Sequence, residues 1–308
     1  MNTAHLQVGP EVARARVAGE PLVALETAVL THGLPAEVAW STYDSMLTAV
    51  REGGAVPAAV GMRHGVLWVG LPSEALIGLS RDPAARKLGL AELPAAAAAG
   101  ASGGTTVAAT LWACRQSGVA VFATGGIGGV HRGAAESFDI SGDLAALSRF
   151  GGCVVCSGAK AILDLGKTLE ALQSLGVCVI GYRTGTFPAF VTADSGLALG
   201  ERVEDPEAAA AVVRARDALG LPGAVLLANP PPAATAVPRR ELDTALASAL
   251  TRAGGAGVSG SAVTPFLLGE LATHSGGRSL NANRELLVAN CELAAQVAVS
   301  LARQPARS

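Results

Sequence analysis

The sequence predicts an α/β fold in which helices cover both faces of a sheet. Apolar runs of strand length alternate along the chain with amphipathic stretches of helical length, which is the pattern of layered α/β domains. The runs are almost continuously apolar, as expected of strands buried on both faces. Polar residues and glycines follow several runs directly, at the strand ends where such folds hold their ligands.

Six apolar runs are the predicted strands. They fall at residues 21–30, 58–71, 119–126, 152–158, 177–183 and 223–230. The second run is interrupted by Arg63-His64-Gly65, and a short polar interruption containing glycine predicts a β-hairpin.

Five amphipathic stretches are the predicted helices. They fall at residues 35–54, 105–118, 167–176, 205–220 and 283–303. In the third, Leu169, Leu172 and Leu175 share one side and Gly176 is a typical stop, so we expect this helix at 168–175. The prolines of residues 229–240 exclude regular structure and predict a surface loop.

Composition and charge fit one large core. The 308 residues are 50% hydrophobic with a formal net charge of -2, and no strong boundary divides the chain, so we expect a single domain over 1–308. This small net charge gives no electrostatic argument for binding to nucleic acid or to an anionic membrane. The first twenty residues lack the layout of a signal peptide, and no apolar run is long enough to span a bilayer. We therefore expect a cytoplasmic protein.

The cysteines favour the same compartment. Five cysteines scattered over apolar segments suit a reducing environment better than a disulfide framework. Cys153 and Cys156 match C-x-x-C, but they lie in a strand run, where residues i and i+3 face opposite sides. We interpret them as buried structural residues.

Residues 123–144 carry the strongest signal for ligand binding. Five glycines follow an apolar run there, namely Gly125, Gly126, Gly128, Gly129 and Gly133. Glycines let backbone N–H groups approach an anion closely, and the neighbouring His131 and Arg132 add donors.

Three oxygen-bearing residues follow at alternate positions. Asp139, Ser141 and Asp143 have the spacing to hold a hard divalent cation, directly or through water. The alternative is that Ser141 and Asp143 simply begin a helix, since Ser and Asp are good N-caps.

Glu26 stands out as a carboxylate near the end of an apolar strand. Such a group must be paired, protonated or functional, because burying a lone charge is costly. The alternative is a strand-end residue that reaches solvent. His32 ends the same run in a turn; it is either functional or an ordinary turn or packing histidine.

Lys160 is unusual because only three of the 23 basic residues are lysines. It follows a strand run directly, and a lysine in an apolar pocket can lose its proton and act as a nucleophile, whereas arginine cannot. The ordinary alternative is an ion pair with Asp164, four residues on.

Lys87 and the pair Thr105-Thr106 are further candidates. Two glycines and two threonines that open a helix would suit phosphate. From the residues alone, three classes stay open: lysine-based sugar or carbonyl chemistry, a nucleotide-binding oxidoreductase, and a non-catalytic binding protein.

The same segments resemble the pseudouridine-5'-phosphate glycosidase family, which includes the indigoidine-synthase-A-like proteins. The resemblance covers about residues 20 to 300. It is carried, in the family's order, by "VALETAVLTHGLP", "VFATGGIGGVHRGAAESFDISGDL", "SGAKAILDL", "GYRTGTFPAF", "LLANPPP", "TPFLL" and "SLNANRELLVANCELAA".

The resemblance implies a three-layer α/β/α sandwich with a central mixed sheet, assembled as a homotrimer. It implies reversible cleavage of the C–C glycosidic bond of pseudouridine 5'-phosphate to uracil and ribose 5-phosphate. Glu26 would be the proton donor, Lys160 the nucleophile that carries the ribose as an imine-type adduct, and Asp139 the ligand of a divalent metal, typically Mn²⁺. The residues that would hold the substrate are Lys87, Thr106, Val107, His131, Ser141, Gly142, Asp143 and, against the uracil, Asn283.

The sequence departs from the family pattern in three places, of which one is "KLGLAELP", where the basic residues that often follow the family lysine are missing. Ala28 stands where the opening motif usually has threonine, and Gly185 replaces an aspartate. Two other activities therefore stay open: a related C-glycosynthase that joins ribose 5-phosphate to another carbon nucleophile, and a catalytically silent binding protein.

Overall fold

The computed structural model describes residues 5–256 and 263–303. Of the predicted domain 1–308, the two chain ends and residues 257–262 lie outside the described residues. The strands are β1 Leu6–Val8, β2 Leu22–Glu26, β3 Val56–Arg63, β4 Val66–Val69, β5 Arg86–Leu88, β6 Gly103–Thr105, β7 Val121–Ala123, β8 Cys153–Cys156, β9 Cys178–Tyr182, β10 Arg202–Val203 and β11 Val225–Ala228.

The helices alternate with these strands. They are α1 Pro10–Ala18, α2 Ala36–Glu52, α3 Ser73–Arg81, α4 Leu93–Ala98, α5 Val107–Ser117, α6 Ala134–Ser137, α7 Gly142–Arg149, α8 Leu165–Ser174, α9 Pro206–Ala218, α10 Arg239–Gly255, α11 Val263–His274 and α12 Arg278–Ala302, with one π-helix, Val29–Gly33. The loop predicted at 229–240 is confirmed up to the start of α10.

One large mixed sheet organises the fold. Its main order is β1-β4-β3-β2-β7-β8-β11-β9-β10. The strands pair in parallel except that β3 is antiparallel to β4 and to β6. The β3–β4 pair is the predicted hairpin, and it turns at His64, whose φ is +49°. The α/β prediction is confirmed.

Helices lie on both faces of the sheet, as predicted. Helices α2, α9 and α12 pack together in one layer, and α5, α7 and α8 form the other. Crossovers between parallel strands are right-handed as a rule, so connections that run in opposite directions along such a sheet leave their helices on opposite faces.

Helix α12 is the one helix of the described residues with the length and apolar composition to cross a membrane. More than half of its most apolar window is buried inside the fold, and it packs against α2, α9 and three central strands. It is therefore the core helix of its layer.

Several element boundaries differ from the prediction, and two of these differences bear on the site. The first apolar run leaves the sheet at Glu26 and continues as the π-helix, which places the carboxylate at the strand end. Helix α8 starts at Leu165 rather than 168, because the Asp164 side chain accepts a hydrogen bond from the Lys167 N–H and caps the helix.

The interpretation of Cys153 and Cys156 as structural is supported. Both are fully buried in β8. Burial raises the pKa of each thiol to about 12, so both stay protonated and unreactive at neutral pH.

Candidate active site

A cavity of about 880 Å³ opens where β2, β7 and β8 end and where α5 and α7 begin. Every predicted site residue except Asp139 lines it. They are Glu26, Lys87, Thr106, Val107, His131, Ser141, Gly142, Asp143, Lys160 and Asn283. Residues from distant parts of the sequence meet here because the carboxyl ends of parallel strands share one edge of the sheet.

Glu26 lines the cavity and is 6% exposed. The Thr124 hydroxyl, which follows β7, donates a hydrogen bond to Glu26 Oε1. Burial raises the pKa of Glu26, and the positive charges of Lys160 and Lys87 only partly oppose that effect. Glu26 thus holds its proton to higher pH than an ordinary glutamate and is suited to donate it.

Lys160 enters the cavity from a tight loop after β8. Gly158 turns this loop with φ +72°, and a Cβ there would lie 2.1 Å from the Pro188 carbonyl oxygen, so only glycine fits. The Lys160 N–H donates to the Ile127 carbonyl at 3.1 Å and anchors the backbone.

The ordinary interpretation of Lys160, an ion pair with Asp164, is wrong. Asp164 pairs with Lys167 instead, at 3.1 Å. Within residues 5–256 and 263–303, no carboxylate forms an ion pair with Lys160, so its amine is available to a ligand in the cavity.

Two more basic side chains surround the acid and the nucleophile. Burial and the nearby Lys160 lower the pKa of Lys87. His32, on the π-helix, also lines the cavity, and burial together with Lys87 lowers its pKa. Burial is the larger cause of both pKa shifts, and the neighbouring positive charge adds to it. This group of basic side chains favours an anionic ligand.

Two helix N-termini face the same space. The Thr106 side chain makes no capping bond to α5, and the Val107 N–H has no acceptor in the described part of the chain. The N–H of Gly142, first in α7, is likewise unpaired there. Free N–H groups and the positive ends of two helix dipoles form a site for a phosphate group.

Asp143 joins these elements. It is buried, and its two oxygens accept from the Ala108 N–H at 2.9 Å and the Gly128 N–H at 2.8 Å. A Cβ at Gly128 would lie 2.3 Å from Ser141 Oγ, which is why this loop needs glycine. Because Asp143 takes both the Gly128 N–H and the Ala108 N–H, the unpaired N–H groups of Val107 and Gly142 are the ones left to bind an anion.

The predicted cation ligands do not converge. Ser141 caps α7 by accepting from the Asp143 N–H at 3.2 Å, which confirms the helix-start alternative for that pair. Asp139 lies beside the cavity with a side chain that is 44% exposed and 3.8 Å from His131 Nδ1. The described residues contain no group of three or more His, Cys, Asp or Glu side chains placed to hold a metal.

Apolar side chains and one amide also line the cavity. Leu163, Leu287 and the Phe190 ring line it, and Asn283 is 8% exposed with no side-chain hydrogen-bond partner in the described residues. An apolar slot with one free amide suits a flat heterocycle whose edge both donates and accepts hydrogen bonds.

Sequence reasoning missed Thr124 and Phe190. Thr124 follows a buried strand directly, as Glu26 does, so its position was a usable signal. Phe190 takes φ +60° and packs on the Gly125–Gly126 backbone; that long-range contact leaves no pattern in the sequence.

The chain is similar to a protein-family model, to individual relatives and to solved structures. The family model described as indigoidine synthase A like protein matches residues 11–300. A pseudouridine-5'-phosphate glycosidase from Methylobacterium nodulans is 50% identical over 296 residues, covering 96% of this chain and 88% of that protein.

Two solved structures have the same fold. The prealnumycin C-glycosynthase AlnA, in complex with ribulose 5-phosphate, gives a TM-score of 0.90 at 36% identity. An indigoidine synthase A-like protein from Thermotoga maritima gives 0.89 at 34%. Each comparison covers 98% of both chains.

Proposed function

The chain belongs to the indigoidine synthase A-like family, and on that premise we propose that it is a pseudouridine-5'-phosphate glycosidase. The observation that carries the proposal is the meeting of Glu26 and Lys160 in one cavity with two helix N-termini. The enzyme reversibly cleaves pseudouridine 5'-phosphate, with water, to uracil and ribose 5-phosphate.

Lys160 starts the reaction. Its neutral amine forms a bond to C1' of the ribose as the C1'–O4' bond breaks and O4' takes up a proton. This opens the sugar and leaves an amine on the carbon that carries the base. Arginine cannot fill this role because its guanidinium does not lose its proton in proteins.

Glu26 completes the cleavage. Its proton goes to C5 of uracil as the C1'–C5 bond breaks, and the Lys160 nitrogen supplies the electron pair that forms the C1'=N bond. Water then hydrolyses the imine, releasing ribose 5-phosphate and the free amine. A C–C bond has no heteroatom to protonate, so this electron sink is what allows uracil to leave.

The remaining residues bind the two ends of the substrate. The N–H groups of Val107 and Gly142, with Thr106 and Lys87, hold the phosphate. Asn283 faces the uracil edge, and Phe190 lines the slot for its ring. Asp143 holds the two helix starts against the glycine loop and so fixes the phosphate site.

Asp139 is the proposed ligand of a divalent cation, Mn²⁺. One carboxylate with an imidazole nearby fits only a cation that takes most of its ligands from water or from the substrate, a mode common for hard divalent ions. Such a cation supplies positive charge against the substrate phosphate.

We expect Mn²⁺ alone to raise the melting temperature of the wild-type protein, because a ligand that binds only the folded state stabilises it. Asp139→Asn should lose this shift. Asp44→Asn, an exposed carboxylate on α2, is the control and should retain it. The measurement is thermal unfolding with and without Mn²⁺, and an undiminished shift in Asp139→Asn would show that the ion binds elsewhere.

The activity is tested in the direction of synthesis. Purified protein with Mn²⁺, uracil and ribose 5-phosphate is expected to form pseudouridine 5'-phosphate, followed by chromatography. Absence of product in both directions, with thermal stabilisation by ribose 5-phosphate, would instead favour a silent binding protein.

A second candidate is a C-glycosynthase that joins ribose 5-phosphate to a different carbon nucleophile. The likeness to AlnA favours it, as does Ala28, which lines the cavity next to the acid where the family pattern has threonine. Gly185, by contrast, does not line the cavity. Imine trapping on Lys160 without any product from uracil would favour this candidate.

We also propose that the protein is a cytoplasmic homotrimer. This rests on the family resemblance and on the buried, protonated cysteines of β8, which are compatible with a reducing compartment. Light scattering should give three times the 30.6 kDa chain mass; a monomer would contradict the assembly.

A further inference from the structure

Three polar side chains and one backbone carbonyl, that of Thr124, meet beside the cavity, where three neighbouring strands end. Thr124 follows β7, Ser157 follows β8 and Asn229 follows β11, while Asn290 comes from α12. We name this cluster the strand-end joint. Asn290 lies at its centre and is 0% exposed.

The Asn290 amide contacts all three strand ends. Its Nδ2 donates to the Thr124 carbonyl at 2.9 Å, and its Oδ1 accepts from Asn229 Nδ2 at 2.9 Å. Ser157 Oγ lies 3.2 Å from the same Nδ2. Because Thr124, Ser157 and Asn290 are buried and their polar groups would be costly to leave unpaired, the network holds the three strand ends in one arrangement.

The joint reaches both reacting side chains. The Thr124 whose carbonyl binds Asn290 also holds Glu26 through its hydroxyl. Ser157 stands three residues before Lys160, and its N–H donates to the Gly125 carbonyl at 2.8 Å. One amide therefore fixes both the partner of the acid and the loop of the nucleophile.

We propose that Asn290 is a positioning residue that sets the spacing between Glu26 and Lys160 through Thr124 and Ser157. This rests on the proposed function, in which the acid and the amine act on adjacent carbon atoms. Asn290 does not line the cavity and so does not touch substrate. Its effect is on geometry, to which such reactions are sensitive at the scale of 1 Å, worth about 10²-fold in rate.

The test uses two variants of different severity. Asn290→Leu has a similar size and removes every bond of the amide, and it should lower kcat by about 10²-fold with little change in KM. Ser157→Ala keeps the Asn290–Thr124 bond and should lower kcat by about tenfold. If Asn290→Leu does not fold, the kcat of Ser157→Ala decides whether the positioning role holds.

Ser117→Ala is the matched control. Ser117 is also a buried serine, and it donates to the Ala113 carbonyl at 2.7 Å, but it lies at the far end of α5 from the cavity. Its kcat and KM should stay at the wild-type values. Loss of kcat in Ser117→Ala equal to that in Ser157→Ala would overturn the proposal, because any buried hydroxyl would then have the same effect.

A second measurement does not depend on turnover. Limited acetylation labels Lys160 and Lys167 in the same chain, and peptide mass spectrometry gives their ratio. Both variants should raise Lys160 labelling about threefold relative to Lys167, since a loosened loop exposes the amine.

The two measurements separate the two proposals. If the wild-type protein makes no product but the labelling ratio rises in the variants, the assigned activity fails and the positioning role stands. An unchanged ratio, or wild-type kcat in both variants of an active enzyme, overturns the positioning role.

Discussion

Replacing Lys160 by arginine is expected to abolish turnover, with kcat at least about 10⁴-fold below wild type, as seen when nucleophiles are removed. Arginine keeps the positive charge and much of the length, so binding of the phosphate end should survive. What it removes is the neutral amine on which the imine depends. The measurement is kcat for cleavage of pseudouridine 5'-phosphate, with circular dichroism to confirm the fold; Lys160→Ala should fail equally.

Lys167→Arg is the matched control for this substitution. Lys167 has a side chain that is 57% exposed and pairs with Asp164 at 3.1 Å, a role that arginine fills well. Borohydride with ribose 5-phosphate should add mass to the Lys160 peptide of Lys167→Arg and of the wild type, and none in Lys160→Arg. An unmodified Lys160 peptide in an active wild-type enzyme would exclude the imine mechanism.

The sequence was most informative where a residue type conflicted with its surroundings. A carboxylate in an apolar strand and a lysine after one both violate the pattern of a buried strand, and both line the cavity. Strand ends share one edge of a parallel sheet, so two such conflicts on different strands could be expected to meet.

The local sequence pattern did not predict those features of the structure that depend on long-range contacts. The π-helix after Glu26 begins with apolar residues that would suit a strand equally well. Its packing against α2 and β6 is what fixes the helical turn. Short strands such as β5 and β6 have no apolar run of their own, yet β5 carries Lys87. The alternate spacing of Asp139, Ser141 and Asp143 suggested one cation site. In the structure, the Asp143 carboxylate instead accepts hydrogen bonds from backbone N–H groups of distant elements.

The Asn290 network contains both features that the sequence shows and features that it does not. Glu26, Thr124, Ser157 and Asn229 are each a polar residue at or directly after the end of a buried strand, which the sequence displays. The Asn290 amide on α12 joins three of these residues. This contact depends on how the helix crosses the sheet, and residue spacing in the sequence does not predict it. Polar residues at strand ends can therefore be proposed as functional from the sequence, but their division into reacting and positioning roles needs the structure.

Glu26→Gln is expected to lower kcat by about 10²- to 10⁴-fold, the range for loss of a general acid, while raising stability. In the wild type, activity should be lost on the alkaline side as pH rises through the raised pKa of Glu26, because the acid must carry its proton. The raised pKa also means that the folded state holds this proton more tightly than the unfolded chain. The stability it contributes is complete below the unfolded pKa of about 4.3 and is lost as pH rises through the folded value.

Glutamine cannot ionise and still offers an oxygen to Thr124, so the melting temperature of Glu26→Gln should exceed that of wild type at pH 8 and match it near pH 4. Thermal unfolding at both pH values measures this, with exposed Glu20→Gln as a control that changes neither stability nor kcat. A lower melting temperature for Glu26→Gln at pH 8 would mean that the ionised carboxylate stabilises the fold. Stability gained with activity lost is the trade-off expected when a buried acid is kept for its chemistry.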